Sequence, residues 1–176
     1  MVRARDAVAS ARELIGTPYS ELDCINLIKK VIRSAPGGVP GYTTAGTNTL
    51  WKSAEASTKY RDLVWRKEGI DGAGAGTLVF KRRGNDVHHV GIVTESGTVV
   101  HSSSAQGGRG VVETPLSSDE GWNLMAKHRY IGVSECTADD QVAEKLNHMA
   151  SVTIVDHSGR RFVPIGGFSV YIGSVD

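Results

Sequence analysis

The stretch His88-His89-Val90-Gly91-Ile92-Val93-Thr94-Glu95-Ser96-Gly97-Thr98-Val99-Val100-His101 reads as two β-strands joined by a tight turn. β-Branched residues dominate both runs, and Glu95-Ser96-Gly97 separates them. The turn sets the register. A two-residue loop, Ser96-Gly97, would pair Glu95 with Thr98 and put His101 on the face opposite His89. A three-residue loop with Gly97 in the left-handed position is a favoured hairpin geometry, and it pairs Thr94 with Thr98 and therefore Gly91 with His101. His89 then becomes the same-face diagonal neighbour of His101, and Gly91 leaves room for an imidazole to lean across. His88 and His89 point to opposite faces, so they do not share one site.

Outward from this hairpin, residues 3–15 have the spacing of a helix, with Ala7, Val8, Ala11, Leu14 and Ile15 recurring every three or four positions until Gly16-Thr17-Pro18. A second helix is expected from Ser20, with Asp23 as capping-box partner, Leu22, Ile25, Ile28, Val31 and Ile32 on its apolar face, and Pro36-Gly37-Gly38 as its stop. Residues 36–49 form a long loop and 51–60 a short helix. A Gly69–Gly76 loop feeds a strand at 77–80, and Lys81–Asp86 is a polar turn. Further strands are expected at 87–94, 98–103, 110–114 and 127–133. Beyond Ser134 come a helix capped by Thr137 and three short strands, at 152–155, 161–164 and 168–172. Helices followed by an antiparallel meander make an α+β fold, with one domain over 1–133 and a C-terminal segment, 134–176, packed on it.

The chain has 176 residues, 40% of them hydrophobic and 22% charged, which suffices for one core without metal or disulfide staples. Twenty Lys and Arg against nineteen Asp and Glu leave a net charge of +1, so bulk electrostatics give no case for nucleic acid or an anionic membrane as partner. No run approaches the ~18 apolar residues of a membrane span. No apolar h-region follows Met1-Val2-Arg3-Ala4-Arg5-Asp6, so cytoplasmic synthesis without a secretory signal is expected. Cys24 and Cys136 lie far apart, in no zinc-ribbon or C-x-x-C spacing.

Cys24 falls in the first turn of the second helix, where free N–H groups and the helix dipole favour a thiolate. A small buried hydrophobe is the competing reading. His89 and His101 supply a base and its orienter if a nucleophile is near. A metal site of His88, His89 and His101 lacks a carboxylate or thiolate ligand at useful spacing, so neither metal nor cofactor is expected. His128, His148 and His157 read as structural or surface residues.

Gly16-Thr17-Pro18-Tyr19 through Asp23-Cys24, then Gly76-Thr77-Leu78-Val79-Phe80, His89-Val90-Gly91-Ile92-Val93 and Val99-Val100-His101-Ser102-Ser103 together resemble the NlpC family of papain-like cell-wall cysteine peptidases. The resemblance spans roughly residues 5–133. It implies Cys24 as nucleophile, His89 as base and His101 as the polar orienter, with Tyr19 and Asp23 in contact with substrate and the Cys24 N–H as an oxyanion donor. Ile25-Asn26 stands where the family commonly has Ser-Gly, and Thr77 where an Asp is usual.

By the same resemblance the substrate is a peptidoglycan stem peptide, cut at the γ-D-glutamyl bond to diaminopimelate or lysine through a cysteine thioester. An N-acetylmuramoyl-L-alanine amidase of the same fold, or an inactive wall-binding or virion structural module, are the alternatives. The expected setting is a phage or prophage lytic enzyme, released by a holin or carried on a tail. The loops 36–48 and 69–76 are candidate cleft walls, and Arg109 is a candidate partner for a substrate carboxylate.

Overall fold

The computed structural model describes residues 1–53, 62–105 and 110–132 in full, together with the backbone of three strands between 154 and 174. The chain divides into two compact units, Met1–Glu135 and Cys136–Asp176.

In the first unit, α1 (Ala4–Arg12) and α2 (Cys24–Ser34) cover one face of a six-stranded sheet, and α3 (Thr47–Lys52) follows the loop after α2. The strands are β1 (Leu63–Glu68), β2 (Leu78–Arg83), β3 (Asp86–Val93), β4 (Thr98–Ser103), β5 (Gly110–Pro115) and β6 (Leu124–His128), in the spatial order β1-β6-β2-β3-β4-β5. Every strand pairing is antiparallel. The fold is thus the α+β arrangement expected, with β2 to β5 a continuous meander. The expectation of a simple meander fails at its end, because β6 returns across the sheet to lie between β2 and β1.

Leu27, Ile28, Val31 and Ile32 put α2 flat on the sheet with no side-chain exposure. Each such burial is worth about 1.5–3 kcal/mol. They meet Leu78, Phe80, Val90, Ile92 and Val100 in the main core. The opposite sheet face carries a smaller cluster of Val79, Val93, Val99, Trp122 and Met125. Pro36 ends α2 by steric restriction of Ala35, which adopts an extended conformation (φ −64°, ψ 152°).

Several boundaries differ from the sequence reading. Ser20 does not start α2; the Pro18 carbonyl accepts from Glu21 and Leu22 in a turn, and Asp23 itself is the N-cap, its carboxylate accepting from Asn26 N at 2.8 Å. α1 stops at Arg12, after which residues 13–17 continue as tight turns. Of the short helix expected at 51–60 only 51–53 are described, where the end of α3 (Thr47–Lys52) reaches into that range, and 54–61 fall outside the described residues. β1 was unforeseen: its burial does not alternate, Val64 and Trp65 are exposed, and a bulge separates Leu63 from Trp65. Charge and bulge are how edge strands avoid further pairing, and they also erase the period-two signal. β6 covers 124–128 rather than 127–133, since Leu124, Met125 and Ala126 are buried on both faces.

The second unit contains a three-stranded antiparallel sheet, β7 (Ile154–Val155), β8 (Arg160–Ile165) and β9 (Phe168–Ser174), close to the strands expected there. The helix expected from Thr137 lies outside the described residues, as do Arg109, Cys136, His148 and His157.

Candidate active site

The hairpin folds as the three-residue turn requires. Thr94 N donates to Thr98 O at 2.9 Å, Gly97 takes φ +71°, and Gly91 pairs with His101. His89 and His101 therefore share a face, and His89 Nε2 lies 2.8 Å from His101 Nδ1, the two rings edge to face. Trp122 covers the pair, stacked on His89 with centroids 5.5 Å apart and edge-on to His101 at 5.2 Å. Gly91 makes this possible. A Cβ there would overlap Val99 Cγ1 and sit 3.0 Å from His101 Cβ and 3.1 Å from Trp122 Cη2.

Burial pushes His89 down to about 3, with the charges of His101, Lys81 and His88 acting in the same direction. Burial and Lys81 bring His101 to about 4. Lys81, paired with His89 in the β2–β3 register, places its Nζ 4.6 Å from the Trp122 ring centroid. Both imidazoles are neutral at neutral pH.

Cys24 is the first residue of α2 and only 5% exposed. The preceding segment is stitched to the far edge of the sheet. Gly16 N donates to Val111 O, Val111 N to Thr17 O, and Ser102 Oγ to Leu22 O. Gly110 permits this approach, because a Cβ there would run into the Thr17 carbonyl and its φ is +128°.

The thiol's hydrogen-bond partner is Thr47 Oγ1 at 3.9 Å, and the backbone amides of Val90 and Ile25 lie near enough to lower its pKa. Strand alternation accounts for the Val90 amide. Thr94 N points to β4, so Val90 N points the same way, but the β3–β4 register ends at Gly91–His101 and leaves that N–H outside the ladder. The Val90 amide thus lies near the Cys24 sulfur, whereas among the described residues no hydrogen bond joins that sulfur to the His89 ring. Burial raises the thiol's pKa, outweighing the lowering by Thr47, Val90 and Ile25. Burial thus works against the thiolate that the helix N-terminus was expected to favour.

Tyr19 is half-buried near Cys24; burial, then the charges of Cys24 and Asp23, hold its hydroxyl above the ordinary range. Asp23 is beside Cys24 in sequence, but its carboxylate caps α2. His88 is exposed, whereas His128 is buried and bonded to Tyr42 Oη at 3.1 Å, the structural role expected of it. Thr47, Trp122, Lys81 and Thr114, whose Oγ1 lies 3.1 Å from His101 Nε2, were not anticipated from sequence. Thr47 ends the loop read as a cleft wall, but no motif marks it. Among the described residues no group of three His, Cys, Asp or Glu is placed to hold a metal ion, and no helix is long and apolar enough to cross a membrane. A separate cleft of about 520 Å³, bordered by Lys52, Arg66, Lys67 and Arg82, contains none of Cys24, His89 or His101.

No protein-family model matches the chain, and no curated protein matches it. Solved structures do match. One of them is the NlpC/p60 domain of the peptidoglycan hydrolase SagA, 23% identical, with a TM-score of 0.47 over 72% of this chain and 99% of that one.

Proposed function

We propose that the first unit is a cysteine hydrolase of peptidoglycan stem peptides, with Cys24 as nucleophile, His89 as general base and His101 as its orienter. The observation that carries the reading is that Cys24, buried at the first position of α2, packs in one cluster with Val90, the residue that follows His89, while His89 Nε2 is held by His101. A paired, desolvated imidazole one residue from the Cys24 contact at Val90 is what a nucleophile would use as its base. The sequence resemblance to the NlpC peptidases supplies the substrate class.

The chemistry starts from neutral partners. His89 Nε2 is engaged by His101, which leaves Nδ1 to take the Cys24 proton as sulfur attacks the substrate carbonyl. The Cys24 N–H, at the first position of α2, has no intrahelical acceptor and is the donor we assign to the developing oxyanion. Collapse returns the proton from His89 to the leaving amine and leaves a thioester. Water, deprotonated by His89, then releases the acid and regenerates the thiol. Tyr19, whose hydroxyl feels the charge of Cys24, is the residue we assign to contact the acyl group. The bond we assign is the γ-D-glutamyl link to diaminopimelate or lysine, and the setting that accompanies it is a phage lytic or tail-borne enzyme.

The test is release of new amino groups from purified cell wall by the Cys136→Ser protein before and after iodoacetamide, with Cys24 modification followed by intact mass. Activity should vanish in proportion to Cys24 alkylation and survive chelator. Activity persisting after complete alkylation would remove the mechanism.

A further inference from the structure

We propose that Thr114 is a positioning residue that sets the tautomer of the His101–His89 pair, so that His89 Nδ1 presents a lone pair to Cys24; this rests on the hydrolase reading above. The placement follows from register. His101 pairs with Val112 across β4 and β5, so Thr114 is its same-face diagonal neighbour, just as His89 is across β3 and β4. One sheet face thus carries His89, His101 and Thr114 on three successive strands, linked at 2.8 and 3.1 Å.

Each neutral imidazole has one N–H, so the chain admits two proton arrangements. In the first, His101 Nε2–H donates to Thr114 Oγ1, His89 Nε2–H donates to His101 Nδ1, and His89 Nδ1 is a free base. In the second, the threonine hydroxyl donates to His101 Nε2, His101 Nδ1–H donates to His89 Nε2, and His89 Nδ1 carries the proton and cannot accept the thiol's. The protonated His89 formed during turnover donates from both nitrogens and is compatible only with the first. That arrangement places an N–H on the buried Nε2 of His101, and Thr114 Oγ1 is its acceptor. Half-buried Thr114 can accept this bond while turning its own hydrogen to solvent. Without the hydroxyl the productive tautomer strands a buried donor, which native proteins rarely tolerate. The other titratable groups bearing on the rings, Lys81 and His88, both disfavour protonation of His89 and so leave the choice to hydrogen bonding.

The test compares full-length wild type, Thr114→Val and Thr114→Ser. Imidazole ¹⁵N shifts report which nitrogen of each ring is protonated, and initial rates report wall-peptide release. Thr114→Val should move the His101 proton toward Nδ1 and lower kcat roughly 5- to 100-fold, the range expected for one orphaned buried donor, with KM unchanged. Thr114→Ser should restore both. A folded Thr114→Val protein with wild-type shifts, or a rate within twofold of wild type, would overturn the proposal. The ¹⁵N measurement needs no turnover. If Cys24→Ala proved as active as wild type, the hydrolase reading would fail while the tautomer result still stood or fell by itself.

Discussion

Replacing Gly91 with alanine adds one methyl group at the point where the hairpin, the histidine pair and Trp122 converge. The new Cβ would overlap Val99 Cγ1 and lie 3.0 Å from His101 Cβ and 3.1 Å from Trp122 Cη2. Val99 is fully buried with Val79, Val93 and Met125, so it has little room to retreat. Trp122 and His101 must therefore give way by a few tenths of an ångström. Overpacking of this kind costs about 1–3 kcal/mol. At roughly 2–4 °C per kcal/mol for a chain of this size, Tm should fall by about 2–12 °C. Gly97→Ala is the matched control: its Cβ meets nothing within 4 Å, but φ is +71°, a conformation that costs alanine about 1–2 kcal/mol. Both variants should therefore lose stability, measured by calorimetry. Gly91→Ala alone should shift the Trp122 indole N–H and His101 ring signals in NMR and slow wall-peptide release. Site signals no more disturbed by Gly91→Ala than by Gly97→Ala would refute the reasoning.

Asp23→Ala should lose about 0.5–2 kcal/mol in thermal melts, as loss of an N-cap does, whereas Asp23→Asn should stay within a few tenths because asparagine caps as well. A larger loss for Asn than for Ala would contradict the capping role. His128 is held neutral by burial, its pKa pushed down to about 3. A depressed imidazole contributes full stability above its unfolded value near 6.5 and loses it as pH falls toward the folded value, at about 1.4 kcal/mol per pH unit. His128 alone should thus cost ~2 kcal/mol between neutral pH and pH 5, with His89 and His101 adding in the same direction. Urea unfolding at both pH values should show a flatter dependence for His128→Gln, and an unchanged slope would exclude His128 as a cause.

The parts of the fold and site that could be read in advance were those fixed by local chemistry. Gly97 dictated the loop length, the loop length dictated register, and register brought His89 to His101. The α2 stripe and its stop at Pro36 were equally local. Thr114 escaped because six residues, 104–109, separate β4 from β5, too many for the length alone to fix the register. Trp122 lies outside any strand, and β1 lacks alternation because it is a charged edge. The raised thiol pKa was invisible for a different reason. A helix N-terminus is a sequence feature, but the depth at which Cys24 is buried is set by the whole sheet. Ser20 and Asp23 matched a capping box, yet the Pro18 carbonyl captured the intervening N–H groups first.

The most direct test of the central claim is mass spectrometry of the fragments released from purified diaminopimelate-type and lysine-type sacculi by wild type and Cys24→Ala. The account predicts defined peptide fragments from wild type, with masses that place the cut at the γ-D-glutamyl bond, and none from the variant. Equal release by both proteins, or no release by wild type from either wall, would contradict it.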